Sequence, residues 1–151
     1  MTLSYEDIYS FFLGYITDYN LAAMDVQDAY NLMSENLHKA VSKPYVRRLF
    51  SEFENDSEVM ALKFEMEHET EENADRDFII DVLAKGMVIE WLQPQVKSRL
   101  LTAQYFGNGD KKWFSQKSHL DGLELLLEDA RLEQRKMIRD RGYISNSYLE
   151  G

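Results

Sequence analysis

The chain has 151 residues, 44% of them hydrophobic and 13% aromatic, a length and composition that suit one folded domain with a core needing no disulfide or metal staple. It contains no cysteine, which removes disulfide frameworks, thiolate nucleophiles and cysteine metal sites together and fits synthesis inside a cell. A net charge of -10 argues against a protein that grips nucleic acid over its whole surface, and Glu6 and Asp7 stand where a signal peptide would carry positive charge.

Ser4, with Asp7 three residues on, predicts a helix start. Ile8, Phe11, Phe12, Tyr15, Ile16 and Tyr19 then keep the helical period to about Asn20. A second helix begins at Asp25, with Val26, Ala29, Tyr30, Met33, Leu37, Ala40 and Val41 on one face. Ser42-Lys43-Pro44 ends it, because proline lacks an amide hydrogen and disfavours helical geometry in the residue before it. Met60, Leu62, Phe64 and Met66 alternate with polar or small residues, the two-residue period of a half-buried strand. Tyr45 to Phe53 fits a helix, through Val46, Leu49, Phe50 and Phe53, or a strand; because a lone strand leaves its amides unpaired, the two runs are paired as a hairpin through a turn at Glu54-Asn55-Asp56-Ser57. A neighbouring subunit is the alternative partner. His68 to Arg76 has no apolar period and reads as an exposed acidic loop.

The central element is Phe78 to Leu92, interrupted only by Asp81, Lys85 and Glu90. A helix apolar around most of its circumference is buried on several sides, and this one is too short and too charged to span a membrane. It starts at Asp75 or Asp77 and reaches about Gln93, where Pro94 ends or kinks it, with a helical stripe continuing to Phe106. After the turn Gly107-Asn108-Gly109-Asp110, a long helix runs from Ser115 or Ser118 to about Arg141. Its seam is Leu120, Leu123, Leu127, Ala130, Gln134 and Met137, widened by Leu126 and Ile138, and it is expected to pack on the central helix. The tail from Tyr143 carries too many apolar residues to be left in solvent and reads as a docking arm.

Charge is segregated. From Glu52 to Asp77 eleven acids face two bases, Lys63 and Arg76, a net of -9; from Arg131 to Arg141 five bases face Glu133 and Asp140, a net of +3. The acids Glu52, Glu54, Asp56, Glu58, Glu65, Glu67, Glu69, Glu71 and Glu72 define a candidate acidic surface. They lack the Asp-x-Asp-x-Asp-Gly order of a calcium loop, and a solvated surface is the simpler reading. Ser118, His119 and Asp121 are almost consecutive, which points them apart instead of converging them as a triad requires. No enzyme, cofactor or metal is expected.

These elements predict a mainly α protein: a helical bundle of four to five helices with a small β-hairpin and an extended C-terminal arm. A single domain covers 1–142, with the hairpin and acidic loop at about 45–76, and the arm covers 143–151.

Two blocks, Lys85 to Ser98 with Gly86, Trp91 and Pro94, and Trp113 to Leu120, are followed by Arg135-Lys136, by Arg139-Asp140-Arg141 and by a tail with Asn146 and Tyr148. Over roughly the last half of the chain this pattern resembles small virion proteins of tailed bacteriophages, of the kind that form head-tail connector or adaptor subunits in the neck. The resemblance implies a structural protein made in the host cytoplasm and located in the virion neck. Identical copies would form a ring, often twelvefold, beneath the portal protein and join it to stopper or tail proteins. Double-stranded DNA would pass through the lumen without specific binding, and no membrane would be involved.

On that reading the candidate contacts with copies or partners are Trp113, Phe114, His119, Arg131, Gln134, Arg135, Arg139, Arg141, Tyr143, Ile144, Tyr148 and Leu149. The acidic surface lies outside the two blocks, and its placement in the lumen rests on charge alone, since an acidic wall repels phosphates and lets DNA slide. The alternative is a small helical regulatory or adaptor protein that binds a host protein through the acidic hairpin.

Overall fold

A computed structural model describes residues 1–16, 24–106 and 111–144, with side chains over 1–16, 24–98 and 119–142. Among them five helices and three strands follow in the order β1 (Thr2–Ser4), α1 (Tyr5–Tyr15), α2 (Val26–Val41), α3 (Pro44–Arg47), β2 (Phe50–Asp56), β3 (Ala61–Met66), α4 (Glu72–Phe106) and α5 (Lys111–Ile144). The protein is mainly α, with one small antiparallel sheet of strand order β1-β3-β2.

Helix α4 is the axis of the molecule. From Ile79 to Leu92 only Asp81, Lys85 and Trp91 are not fully buried, because α1 and α2 cover one side of α4 and α5 covers another. Each large aliphatic side chain so enclosed contributes about 1.5–3 kcal/mol, which makes this contact the main source of stability. Pro94 lies inside α4 without ending it. Proline cannot donate to the Glu90 carbonyl four residues back, and next to it the Gln95 side chain donates to the Trp91 carbonyl at 3.2 Å.

The expected seam forms. Leu120, Leu123, Leu127, Ala130 and Gln134 are buried against α4, and Met137 and Ile138 pack at its edge. Leu126 does not join it and is 57% exposed. Gly86 is where the helices approach most tightly: a Cβ there would lie 2.9 Å from the Ala40 Cβ and 3.1 Å from the Gln134 amide nitrogen. Only glycine leaves room for α2, α4 and α5 to meet.

The hairpin forms with three corrections, the first being that Pro44–Arg47 is the short helix α3, so the first strand begins at Phe50 and not at Tyr45. Glu54, Asn55 and Asp56 belong to β2 and the turn is Ser57 to Met60, three residues later than expected, so Met60 lies in the turn and not in the strand. The Asp56 carboxylate accepts from the amides of Glu58 and Val59, and Met60 takes a left-handed φ of 53° to close the turn. Strand β3 is also not an edge seeking a second subunit. Its other side is taken by β1, with Leu3 opposite Leu62, and Met1 bonds Phe64 through both its carbonyl and its ammonium. Three residues are too short to show a period, so β1 leaves no trace in the sequence pattern.

Strand β1 runs straight into α1, and Ser4 serves both: its hydroxyl accepts from the Glu6 amide at 3.3 Å as the helix N-cap. Ile8 and Phe12 are wholly enclosed, while Phe11 and Tyr15 are about half exposed. The sequence stripe therefore splits into a core edge and a surface edge. Helix α1 ends at Tyr15, with Ile16 extended beyond it, short of the end expected near Asn20. Tyr19 lies outside the described residues, as does the turn at 107–110.

Candidate assembly surface

Arg141 closes the far end of the α4–α5 pair. Its guanidinium donates to the Asp75 carboxylate at 2.5 Å and to the His68 carbonyl at 2.9 Å, and lies 4.7 Å from the centre of the Phe78 ring. Asp75 also accepts from the backbone and hydroxyl of Thr70. Burial alone would raise the Asp75 pKa; the bonds from Thr70 and Arg141, with the charge of Arg141, outweigh it and hold the carboxyl below its ordinary value. One acid of the expected exposed loop is thus an interior anchor that ties the loop to the last helix. Nothing in the sequence separates Asp75 from the ten other acids around it.

The remaining acids face solvent. Glu52, Glu54 and Glu65 lie on the outer side of the sheet, Glu58 in its turn, Glu67, Glu69 and Glu71 in the connection that follows, and Glu72 at the start of α4. Glu52 is directly opposite Glu65, an unfavourable pairing of like charges that the Met1 ammonium, 3.2 Å from Glu65, partly offsets. Asp56 is half-buried and pairs with Lys63 at 3.5 Å. Val59 and Met60, 62% and 40% exposed, form an apolar tip on this acidic face.

Helix α5 sorts the other candidates by position. Gln134 is interior and donates to the Val82 carbonyl at 3.0 Å, so with Arg141 it serves the fold. His119, Arg135 and Arg139 are exposed; Arg131 is partly exposed and pairs with Glu128 at 3.3 Å, and Arg139 pairs with Asp140 at 3.7 Å. Trp113 and Phe114 lie in the first turn of α5 and Tyr143 and Ile144 in its last, with side chains outside those described. The helix therefore runs through Ile144, and Tyr143 and Ile144 close it instead of beginning an arm. Tyr148 and Leu149 lie outside the described residues.

Leu125 and Leu132 escaped the sequence reading. They are 63% and 57% exposed on the side of α5 away from the seam. Their signal was present: they are seven residues apart and out of phase with the seam.

A second surface cluster joins α1, α4 and α5. The Lys85 ammonium bonds Glu133 at 2.5 Å and sits 3.9 Å from the centre of the Tyr15 ring, while the Tyr15 hydroxyl donates to Asp81. Burial, then the bond to Asp81, raises the Tyr15 pKa, so this phenol stays protonated and donates. Tyr9 is pushed up to about 12, chiefly by burial, and serves packing.

A groove of about 240 Å³ lies between Arg48, Leu49, Met66, His68, Ile138 and Arg141. It is smaller than the roughly 300–1,000 Å³ of ordinary ligand pockets. Among the described residues no three of His, Asp and Glu converge on a metal position, and no helix is long and apolar enough to cross a membrane. No family model, curated protein or solved structure matches the chain.

Proposed function

We propose that the protein is a structural subunit of a tailed-bacteriophage neck: a head-tail connector, or adaptor, that assembles as a homo-oligomeric ring between portal and tail or stopper while DNA passes through. The observation that carries this reading is the segregation of exposed charge over the described residues. Seven exposed glutamates, from Glu52 to Glu71, lie on the sheet and its connection, and Arg135, Lys136 and Arg139 are exposed near the end of α5. Unlike patches at different places on one surface suit a heterologous contact, in which each copy offers one patch to the next and the series closes as a ring. The resemblance of the Lys85 to Ser98 and Trp113 to Leu120 blocks to neck proteins supplies the setting.

A second reading has its own observation. The apolar tip of Val59 and Met60 within an acidic surround also suits a regulator that docks its hairpin on a host protein.

Native mass spectrometry of the protein, alone and with portal protein, separates the two. The connector reading expects a closed ring, or a monomer that becomes a ring on the portal. A species indifferent to the portal, captured instead on one host protein through Val59 and Met60, would overturn it.

A further inference from the structure

We infer that the outward face of α5 is a self-complementary docking surface on which a second copy of this chain binds antiparallel, making a two-fold dimer. This goes beyond the proposed ring, whose contacts are heterologous.

The face is defined by the seam. With Leu120, Leu123, Leu127, Ala130 and Gln134 turned inward, Leu125 and Leu132 fall opposite to them, one above the other, and no other described residue covers them. Two leucines more than half exposed on one helix stripe are an apolar strip without an intramolecular partner.

The charges beside the strip say what covers it. Its first half carries Asp121, Glu128 and Asp129 and its second half Arg135, Lys136 and Arg139, all exposed. A parallel copy would set acid on acid and base on base. An antiparallel copy sets each acidic half on a basic one.

The register follows from the same residues. With Leu132 on the two-fold axis, Asp129 of one copy faces Lys136 of the other on one flank of the strip and Glu128 faces Arg135 on the other flank, while Leu125 lies beneath the aliphatic stem of Arg139. Sliding by seven residues, so that Leu125 meets Leu132, sets Glu128 against Glu128 and Asp129 against Asp129 of the other copy and is disfavoured. The exposed Glu128–Arg131 pair within one copy is of the kind worth under about 1 kcal/mol, so Glu128 is free to re-pair.

A strip about 27 Å long buries less than the roughly 1,200 Å² of a standard interface, so the dimer is expected to be of micromolar affinity. Arg135 and Lys136 cannot serve this contact and a ring contact at once. The dimer and the ring therefore compete.

The test is sedimentation equilibrium on the full chain from about 5 to 200 µM at low salt, with circular dichroism to verify folding. The wild type is expected to move from 17.8 kDa to twice that mass across the range. Leu132→Glu should stay at monomer mass throughout with unchanged helicity. Asp129→Lys and Lys136→Asp should each weaken the dimer about tenfold or more, and the double charge swap should restore it.

A wild type monomeric at 200 µM overturns the inference. So does a dimer indifferent to Leu132→Glu, or a double swap that restores nothing. A wild type that forms a ring on the portal but no dimer at any concentration overturns it while upholding the proposed ring. A dimer with the expected register that never forms a ring on the portal does the reverse.

Discussion

The guanidinium of Arg141 and the carboxylate of Asp75 meet at 2.5 Å across 66 residues of chain, with side chains only 10% and 2% exposed. The pair fastens the acidic connection and the start of α4 to the end of α5. Removing one member leaves the other charge buried without its partner, which costs far more than the pair itself contributes.

Asp75→Asn should therefore destabilise the protein by about 3 kcal/mol near neutral pH, a fall of roughly 10 °C in Tm. The pH dependence has a definite sign. The folded pKa of Asp75 is depressed, so its contribution is present above the unfolded value of about 3.9 and is lost as pH falls through the lower folded value. Urea unfolding of wild type and variant should give a constant difference from pH 7 to about 5 that closes below about pH 4. A difference that closed between pH 7 and 6 would point to another group.

Gly86→Ala sets two terms against each other. Alanine improves helix propensity by about 1 kcal/mol, whereas overpacking a tight contact costs about 1–3 kcal/mol. Because the Ala40 Cβ at 2.9 Å belongs to a packed helix and cannot swing aside, the cost should win, with a net loss of about 1 kcal/mol. Gly86→Val should lose more. Stability gained by the alanine variant in urea titration would show that α2 yields.

Pro94→Ala restores the hydrogen-bond donor that α4 lacks opposite the Glu90 carbonyl. The Glu90 side chain is held independently by Lys43 at 3.1 Å, so its position does not depend on the proline. An interior proline costs about 3 kcal/mol at full effect, and part of that is already offset by the Gln95 side-chain bond. Calorimetry should show a gain of about 1–2 kcal/mol. A loss would mean that α5 packs on a bend only proline provides.

Leu3 is wholly enclosed, and Leu3→Ala should cost about 2–4 kcal/mol. Deleting residues 1–4 should do something different in kind, because it bares an edge of β3. The Phe64 amide, bonded to the Met1 carbonyl, should lose its hydrogen-exchange protection, and the variant should associate through the open edge, visible as a rise in scattering with concentration.

Some of this was legible because it depends on local periodicity. The near-continuous apolar run from Phe78 to Leu92 announced a buried helix, and the 3, 4, 3, 4 spacing from Leu120 announced its partner. The alternation in β3 announced a strand. Helical and strand periods are set by backbone geometry, which is the same in every fold, so they can be read without knowing what packs on what. The acidic and basic patches were legible for the same reason, since charge composition survives any arrangement.

Only the tertiary structure decided which members of those patterns turn inward. Asp75 is an anchor and its neighbours are surface; Gln134 and Arg141 serve the fold while Arg135 and Arg139 remain exposed; Leu126 leaves the seam it was assigned to. A three-residue strand at the N-terminus became the partner of β3. Each of these depends on a contact between residues far apart in sequence. The energy of such a contact comes from burial and pairing that exist only once the helices have met, so no local pattern records it.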